Sequence, residues 1–184
     1  IFNVDNPIVV KGVAGALKIF HPAIDSNGKP GVGVDIFDFG GVPSVGVQII
    51  GGAIEGGTIG VQDASFSTEI LGTYFERQTE ADISLIGGSR FAHVVGTTHT
   101  AVGGAVAVKG RSARAARVDN IFMANGARTL GVFDFDATNV ECYYDLIQTS
   151  LSDNVPLGIT TGIRNITSKP GPIGDVTPST GAFT

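Results

Sequence analysis

Apolar residues occur along the chain in short runs that are separated by glycine, asparagine, aspartate or proline, a pattern typical of β-strands. Valine, isoleucine and threonine are frequent in these runs, and β-branched side chains favour strands over helices. A short helix is predicted only at 113–116, and 143–147 fits a strand or a helical turn. The strands predicted from this pattern are 8–10, 16–20, 32–39, 45–50, 59–64, 70–75, 83–86, 91–95, 101–108, 121–123 and 129–135.

The strand predicted at 32–39 is apolar on both faces. Side chains alternate with a period of two along a strand, so its residues divide into two sets. One set is Asp35, Phe37 and Phe39, and the other is Val34, Ile36 and Asp38. Neither set is cleanly polar, which indicates that both faces are covered, by a second sheet or by another subunit.

Glycines divide the chain at short intervals, which is the spacing expected of a sandwich or barrel. Two similar segments, 45–50 and 59–64, flank the glycine-rich stretch 51–57, which predicts a hairpin or a sharply coiled ribbon. Their similarity is interpreted as shared strand chemistry, with no period long enough for a solenoid. The predicted fold is therefore all-β, an antiparallel β-sandwich or β-barrel (jelly-roll-like) with extended terminal segments. Residues 1–167 form one domain, and 168–184 form a tail rich in Gly, Pro, Ser and Thr.

The composition excludes several classes of protein. The 42% hydrophobic fraction is too high for disorder, and no apolar run approaches the length of a membrane helix. A net charge of −5 argues against a nucleic-acid binder. Cys142 is the only cysteine, so a disulfide framework or a cysteine zinc cluster within the chain is excluded. Because the chain begins at Ile1 without a signal-peptide pattern, we expect that an N-terminal segment was removed or left out.

Four basic residues lie close together in the sequence: Lys109, Arg111, Arg114 and Arg117. On a helix the arginines would form a compact basic stripe. Because the chain as a whole is acidic, this group is predicted to contact an acidic face of another copy, in a head-to-tail association. A phosphate, a sulfated sugar or solvent remains an alternative partner for the same side chains.

Candidate metal ligands are few. His93 and His99 would share one side of a continuous strand unless Gly96 breaks it, and no further zinc ligand accompanies them. Asp134 and Asp136 project from the same side of their strand and could hold calcium, or could simply be the polar face of a half-buried strand. The sequence lacks a serine-nucleophile elbow and a phosphate-binding loop. We therefore predict that the protein is not an enzyme and has neither a cofactor nor a resident metal.

The segments 56–64 and 83–91 resemble strand segments of the dirigent and allene oxide cyclase barrels, although Ser89-Arg90 stands where those families have threonine and glycine before the phenylalanine. This resemblance implies a barrel enzyme with a polar pocket around Tyr74, Arg90 or His93. The overall texture, rich in Gly, Val, Thr and Ala and with only 16% charged residues, resembles instead that of virion structural proteins and filament subunits.

The preferred prediction is a structural, self-assembling subunit of a virion (capsid, decoration or tail) or of an extracellular filament. Its partners would be copies of itself, and other structural proteins of the same assembly, without nucleic acid or a membrane span. Low charge supports this prediction, because surfaces buried between subunits hold few unpaired ions. The alternative is a secreted lectin-like module, with Asn165 as a possible glycosylation site. Its sugar site would be formed by Asp134, Asp136, Asn139, Tyr143 and Tyr144.

Overall fold

The chain is wound into a β-solenoid with three faces. The computed structural model describes residues 8–12, 14–100, 106–124, 131–145, 147–149 and 157–166. Each rung of the solenoid contributes one strand to each of three sheets, and the described part of rung seven contributes to two. All strand pairings in the described chain are parallel and join successive rungs. The all-β prediction is therefore confirmed, whereas the antiparallel sandwich or barrel is wrong.

The first two sheets each contain seven strands. Sheet 1 consists of β1 (Ile8–Lys11), β4 (Val32–Phe37), β7 (Ile59–Ala64), β10 (Ala81–Leu85), β13 (Val106–Gly110), β16 (Phe133–Phe135) and β19 (Gly158–Thr160). Sheet 2 consists of β2 (Ala14–Phe20), β5 (Val45–Ile50), β8 (Phe66–Leu71), β11 (His93–Val95), β14 (Arg117–Asp119), β17 (Cys142–Tyr144) and β20 (Ile163–Asn165).

The third sheet contains six strands, one from each of the first six rungs. Sheet 3 consists of β3 (Ala23–Asp25), β6 (Ala53–Glu55), β9 (Tyr74–Glu76), β12 (Thr98–Thr100), β15 (Ile121–Ala124) and β18 (Ile147–Thr149). Rung one is thus β1–β3, rung two β4–β6, and so on to rung seven, which is β19 and β20.

The corner between sheets 2 and 3 has the same backbone conformation in each of the first five rungs. The residue after the sheet 2 strand has a positive φ, and in the first four rungs its amide donates to the carbonyl of the next rung. Glycine and asparagine tolerate this left-handed conformation best. The residues are His21 (φ 46°), Gly51 (φ 64°), Gly72 (φ 63°), Gly96 (φ 62°) and Asn120 (φ 47°). The glycines thus turn the chain onto the next face of a solenoid.

The core lies inside the solenoid, where side chains at equivalent positions stack from rung to rung. On sheet 2 the inward column is apolar through Ile49, Ile70, Val94 and Val118, each almost fully buried. On sheet 3 the inward column holds Ile24, Ile54, Phe75, His99 and Met123. Stacking of like side chains in this way gives a continuous core that no single rung could form alone.

Three local predictions are corrected by the solenoid. The segments 45–50 and 59–64 do not form a hairpin, because β5 lies in sheet 2 and β7 in sheet 1. Residues 113–116 form a corner rather than a helix. A repeat is present after all: Val34 pairs with Val61 and Val61 with Ile83, steps of 27 and 22 residues. The tail 168–184 lies outside the described residues.

Candidate functional surfaces

The solenoid disperses the four basic residues. Lys109 faces outward on sheet 1, and Arg111 lies just beyond the end of the same strand. Arg117 lies on sheet 2, and Arg114 lies at the corner between sheets 1 and 2. Lys109 pairs with Glu80 at 2.6 Å. Arg117 pairs with Asp119 on the same strand, β14, which belongs to sheet 2 and not to sheet 1. Their role as an assembly contact stays a prediction, and they do not form the expected helical stripe.

Arg111 occupies the site considered for calcium. Its guanidinium donates to Asp134 Oδ2 at 2.5 Å and lies 3.4 Å from Asp136 Oδ2. Hydrogen bonds from Thr138, the largest influence, together with the charge of Arg111, hold the pKa of Asp136 below its usual value. Within the described ranges, no group of three His, Cys, Asp or Glu side chains is placed to hold a metal ion. An arginine already neutralises these carboxylates, so we favour the ion pair over calcium.

The two candidate histidines point in different directions. Gly96 forms the corner between them and breaks the strand, so the continuous strand on which they would share a face is absent from this part of the described chain. His93 faces outward on sheet 2 and lies 3.0 Å from Asp119 Oδ2. His99 faces the interior of sheet 3 and is fully buried. No shared metal site can therefore form between them.

The residues proposed for a sugar site are also separated. Tyr144 is 7% exposed and packs against Phe133 in the core. The Asn139 side chain is buried, where it donates to Gly110 O at 3.0 Å and accepts from the Ala113 amide. Asn139 therefore stabilises a corner of the solenoid through these hydrogen bonds. Asn165, the candidate glycosylation site, is half-buried and pairs with Tyr144 of the preceding rung.

A carboxylate with neutral hydrogen-bond donors lies inside the solenoid. Asp63 is fully buried, and its Oδ1 accepts from Ser65 Oγ at 2.5 Å and Thr68 Oγ1 at 2.8 Å. Its Oδ2 accepts from Ser89 Oγ, which belongs to the next rung, at 2.5 Å. Burial raises the pKa of Asp63 above 3.8, and the hydrogen bonds oppose this only partly. The cluster ties two rungs together at the corner between sheets 1 and 2.

Replacement of Asp63 by asparagine is expected to change how stability depends on pH. Because the folded protein holds this proton more tightly than the unfolded chain, Asp63 reduces stability as pH rises from about 3.8 through its raised pKa. The free energy of unfolding of the Asp63→Asn variant, relative to that of the wild type, should therefore increase as the pH rises through that range. Urea unfolding at a series of pH values measures it.

A second variant sharpens this test. Ser89→Ala removes a hydrogen bond that lowers the pKa of Asp63, so this pKa should rise further in the variant. The loss of stability with rising pH should then continue to a higher pH than in the wild type. Parallel pH profiles for Asp63→Asn and wild type would show that the pKa of the buried carboxyl is not raised.

Exposed apolar side chains are concentrated at the two ends of the solenoid. Among the described residues, the three middle rungs hold one large exposed apolar residue each: Phe66, Phe91 and Phe122. The first two rungs hold Val9 (44% exposed), Phe20 (60%), Phe39 (62%) and Val42 (44%). The last two rungs hold Val140 (46%), Tyr143 (40%), Leu157 (45%), Ile159 (52%) and Ile166 (40%). Among the described residues, each end therefore holds about twice as many exposed large apolar side chains per rung as the middle.

The ends also carry strand edges. In the described part of the chain, β1, β2 and β3 pair only with rung two, while β19 and β20 pair only with rung six. A strand at the edge of a sheet presents N–H and C=O groups that can pair with another chain. Backbone donors and apolar side chains thus coincide at the same two surfaces.

A recess of about 280 Å³ lies at the corner between sheets 1 and 2. Arg90 and Arg114 line it from successive rungs, which are joined by a backbone bridge at these two residues. The rest of the lining consists of Gly87, Gly88, Ser89, Ser112 and Thr138. From the sequence, Arg90 is a candidate for a barrel pocket and Arg114 for an assembly contact. The two residues are neighbours because they occupy equivalent positions on successive rungs, which the sequence pattern does not reveal.

The chain matches no family profile, no curated protein and no solved structure. Within the described residues, no helix has the length and apolar character that crossing a membrane requires. Function is therefore inferred from the surfaces of the solenoid itself.

Proposed function

We propose that this protein is a structural subunit that assembles end to end with copies of itself, as part of a virion or of an extracellular filament, and that it is not an enzyme. A β-solenoid is compatible with a structural or filament-like role. The observation that carries the proposal is the coincidence of strand edges and exposed apolar side chains at both ends.

Head-to-tail stacking would continue sheets 1 and 2, the two sheets to which the described part of rung seven contributes. The strands run parallel from rung to rung, so the edge of β19 in one copy can pair in parallel with the edge of β1 in the next copy. Val9 and Ile159 occupy the same outward column of sheet 1 at its two ends. Such a contact uses different surfaces on the two partners, and repetition of it gives an open filament.

Lysine at either end should block assembly. Val9→Lys and Ile159→Lys each place a charge beside the strand edge, a substitution that natural proteins use to prevent edge pairing. Light scattering after gel filtration should show large oligomers of the wild type and much smaller species of each variant. Phe122→Lys is the matched control, because Phe122 is an exposed apolar residue (38%) in a middle rung.

Mixing the two variants tests the direction of assembly. Each variant keeps one intact end, so an equimolar mixture should form heterodimers and stop there. Wild-type protein that stays monomeric at micromolar concentration would overturn the proposal. Loss of assembly in Phe122→Lys, with both end variants still assembling, would show contacts between the sides of the solenoids.

A further inference from the structure

We infer that the recess between Arg90 and Arg114 is a binding site for an oxyanion group, a sulfate ester or a carboxylate, carried by an acidic sugar. Arg90 and Arg114 lie in rungs four and five, away from the strand edges to which assembly is assigned. It would let each subunit of a filament bind an acidic glycan along its side.

The two guanidinium groups are available to a ligand. Both arginines are exposed, and among the described residues neither forms an ion pair, unlike Arg77, Arg111 and Arg117. They belong to successive rungs, so their strands lie about 4.8 Å apart. A guanidinium presents a fixed fork of donors that matches a carboxylate or sulfate in a bidentate manner. Two adjacent forks can therefore hold one oxyanion or two neighbouring ones.

The backbone of the recess adds further donors. Gly87 and Gly88 form a tight turn that is closed by a hydrogen bond from the Ser89 amide to Ile86 O at 2.8 Å. In the described part of the chain, neither glycine amide donates a hydrogen bond within the protein. Exposed consecutive amides of this kind form a concave surface that favours anions.

Two residues that line the recess donate hydrogen bonds to carboxylates. Ser89 Oγ donates to Oδ2 of the fully buried Asp63 at 2.5 Å. Thr138 lines the recess, accepts from the Ser112 amide at 3.0 Å and donates to Asp136. Asp136 lies 3.4 Å from the guanidinium of Arg111. Glu141 is one residue beyond Val140, the bridge partner of Arg114, and is exposed to solvent. Among the described residues that line the recess, Arg90 and Arg114 are the only charged ones.

An aromatic surface beside the recess indicates a sugar rather than a free ion. Phe91 follows Arg90 directly and is 54% exposed, and it packs edge-to-face on Phe66, with ring centroids 5.1 Å apart. Phe66 is the bridge partner of Arg90 on the preceding rung. Apolar rings beside a few polar groups are the usual lining of small-molecule sites, and the C–H face of a sugar ring can pack on them.

Titration calorimetry with a heparin-derived sulfated tetrasaccharide tests the site. Arg90→Gln and Arg114→Gln should each weaken binding by about tenfold, since each removes a charge-assisted bidentate contact. Arg→Lys at either position should recover part of the affinity, because lysine keeps the charge without the fork. Arg164→Gln is the matched control: it removes one exposed arginine on rung seven and should leave affinity unchanged.

Further arms separate the possible outcomes. Inorganic sulfate should bind more weakly than the tetrasaccharide, and a desulfated tetrasaccharide should not bind. Equal affinity for sulfate and tetrasaccharide would overturn the sugar assignment. Absence of tetrasaccharide binding, or equal losses in Arg90→Gln, Arg114→Gln and Arg164→Gln, would overturn the site. Circular dichroism checks the fold, which both variants should retain because the hydrogen bonds of Arg90 and Arg114 to the described residues of neighbouring rungs are made by backbone atoms. End-blocked monomers can be used throughout, so failure here is distinct from failure of assembly.

Discussion

Replacing His99 with methionine is expected to lower the free energy of unfolding by about 3–5 kcal/mol, as is usual when one partner of a buried, hydrogen-bonded acid–base pair is removed. His99 and Asp82 are both fully buried, with Nδ1 of the imidazole 2.7 Å from Oδ2 of the carboxylate. Thr97 Oγ1 lies 2.8 Å from Nε2, and the imidazole stacks on Phe75 with centroids 5.3 Å apart. The substitution would take the imidazole away from a carboxylate that water cannot reach.

The next rung shows which two residues can replace His99 and Asp82 together. On rung five the position level with His99 is Met123, and the position level with Asp82 is Ala107, between the partners of Ala81 and Ile83. The double variant Asp82→Ala/His99→Met therefore copies a pair that the solenoid already accommodates. It should recover most of the lost stability, since a well-packed apolar pair often replaces a buried ion pair at little cost.

Urea unfolding of wild type, both single variants and the double variant gives the coupling energy. A coupling of more than about 1 kcal/mol is expected for residues in direct contact. If the single His99→Met variant were as stable as the wild type, the buried pair would be shown to contribute nothing to folding.

Replacing Gly60 with alanine is expected to cost about 2–3 kcal/mol, because the interior there has no room for a methyl group. A Cβ atom at Gly60 would lie 2.5 Å from Asp82 O and 2.8 Å from Cδ1 of Phe75. The first of these atoms is backbone of the next rung, so relief requires the rungs to separate. Phe75 is fully buried and cannot swing into solvent.

Gly87→Ala is the matched control for this substitution. The nearest atom to a Cβ at Gly87 is Cβ of Ser112, at 3.9 Å, and its φ is not positive. Its midpoint of urea unfolding should stay close to that of the wild type, whereas that of Gly60→Ala should fall. Equal midpoints for the two variants would show that the rungs adjust to the added methyl group without cost.

The sequence pattern predicts the positions of many strands but not their partners. The segments 45–50 and 59–64 coincide with β5 and β7, because alternation and β-branched residues identify extended backbone. Alternation is the same in parallel and antiparallel strands, so it could not distinguish a solenoid from a sandwich. The repeat was hidden because its length varies, from 21 residues between Ile49 and Ile70 to 30 between Ile19 and Ile49.

One signal in the sequence could have revealed the solenoid. Gly51, Gly72, Gly96 and Asn120 are spaced by similar distances, and each occupies the same corner with a positive φ. Considered separately, such residues predict turns of any kind. Only their recurrence, together with an apolar strand before each, indicates a coil of constant cross-section.

The sequence by itself determined that the chain is rich in strands, low in charge and without a recognisable catalytic motif, because these properties depend on composition and local pattern. Tertiary structure alone decided which residues meet. It placed Lys109 and Arg111 in ion pairs at sheet 1 and Arg117 in an ion pair on sheet 2, and it placed Arg90 beside Arg114. Residues one rung apart are more than 20 positions apart in the chain, and that distance is set by the lengths of corners and loops, which local propensities do not specify. The low charge first indicated surfaces to be covered, and the solenoid places the exposed apolar surface mainly at its two ends.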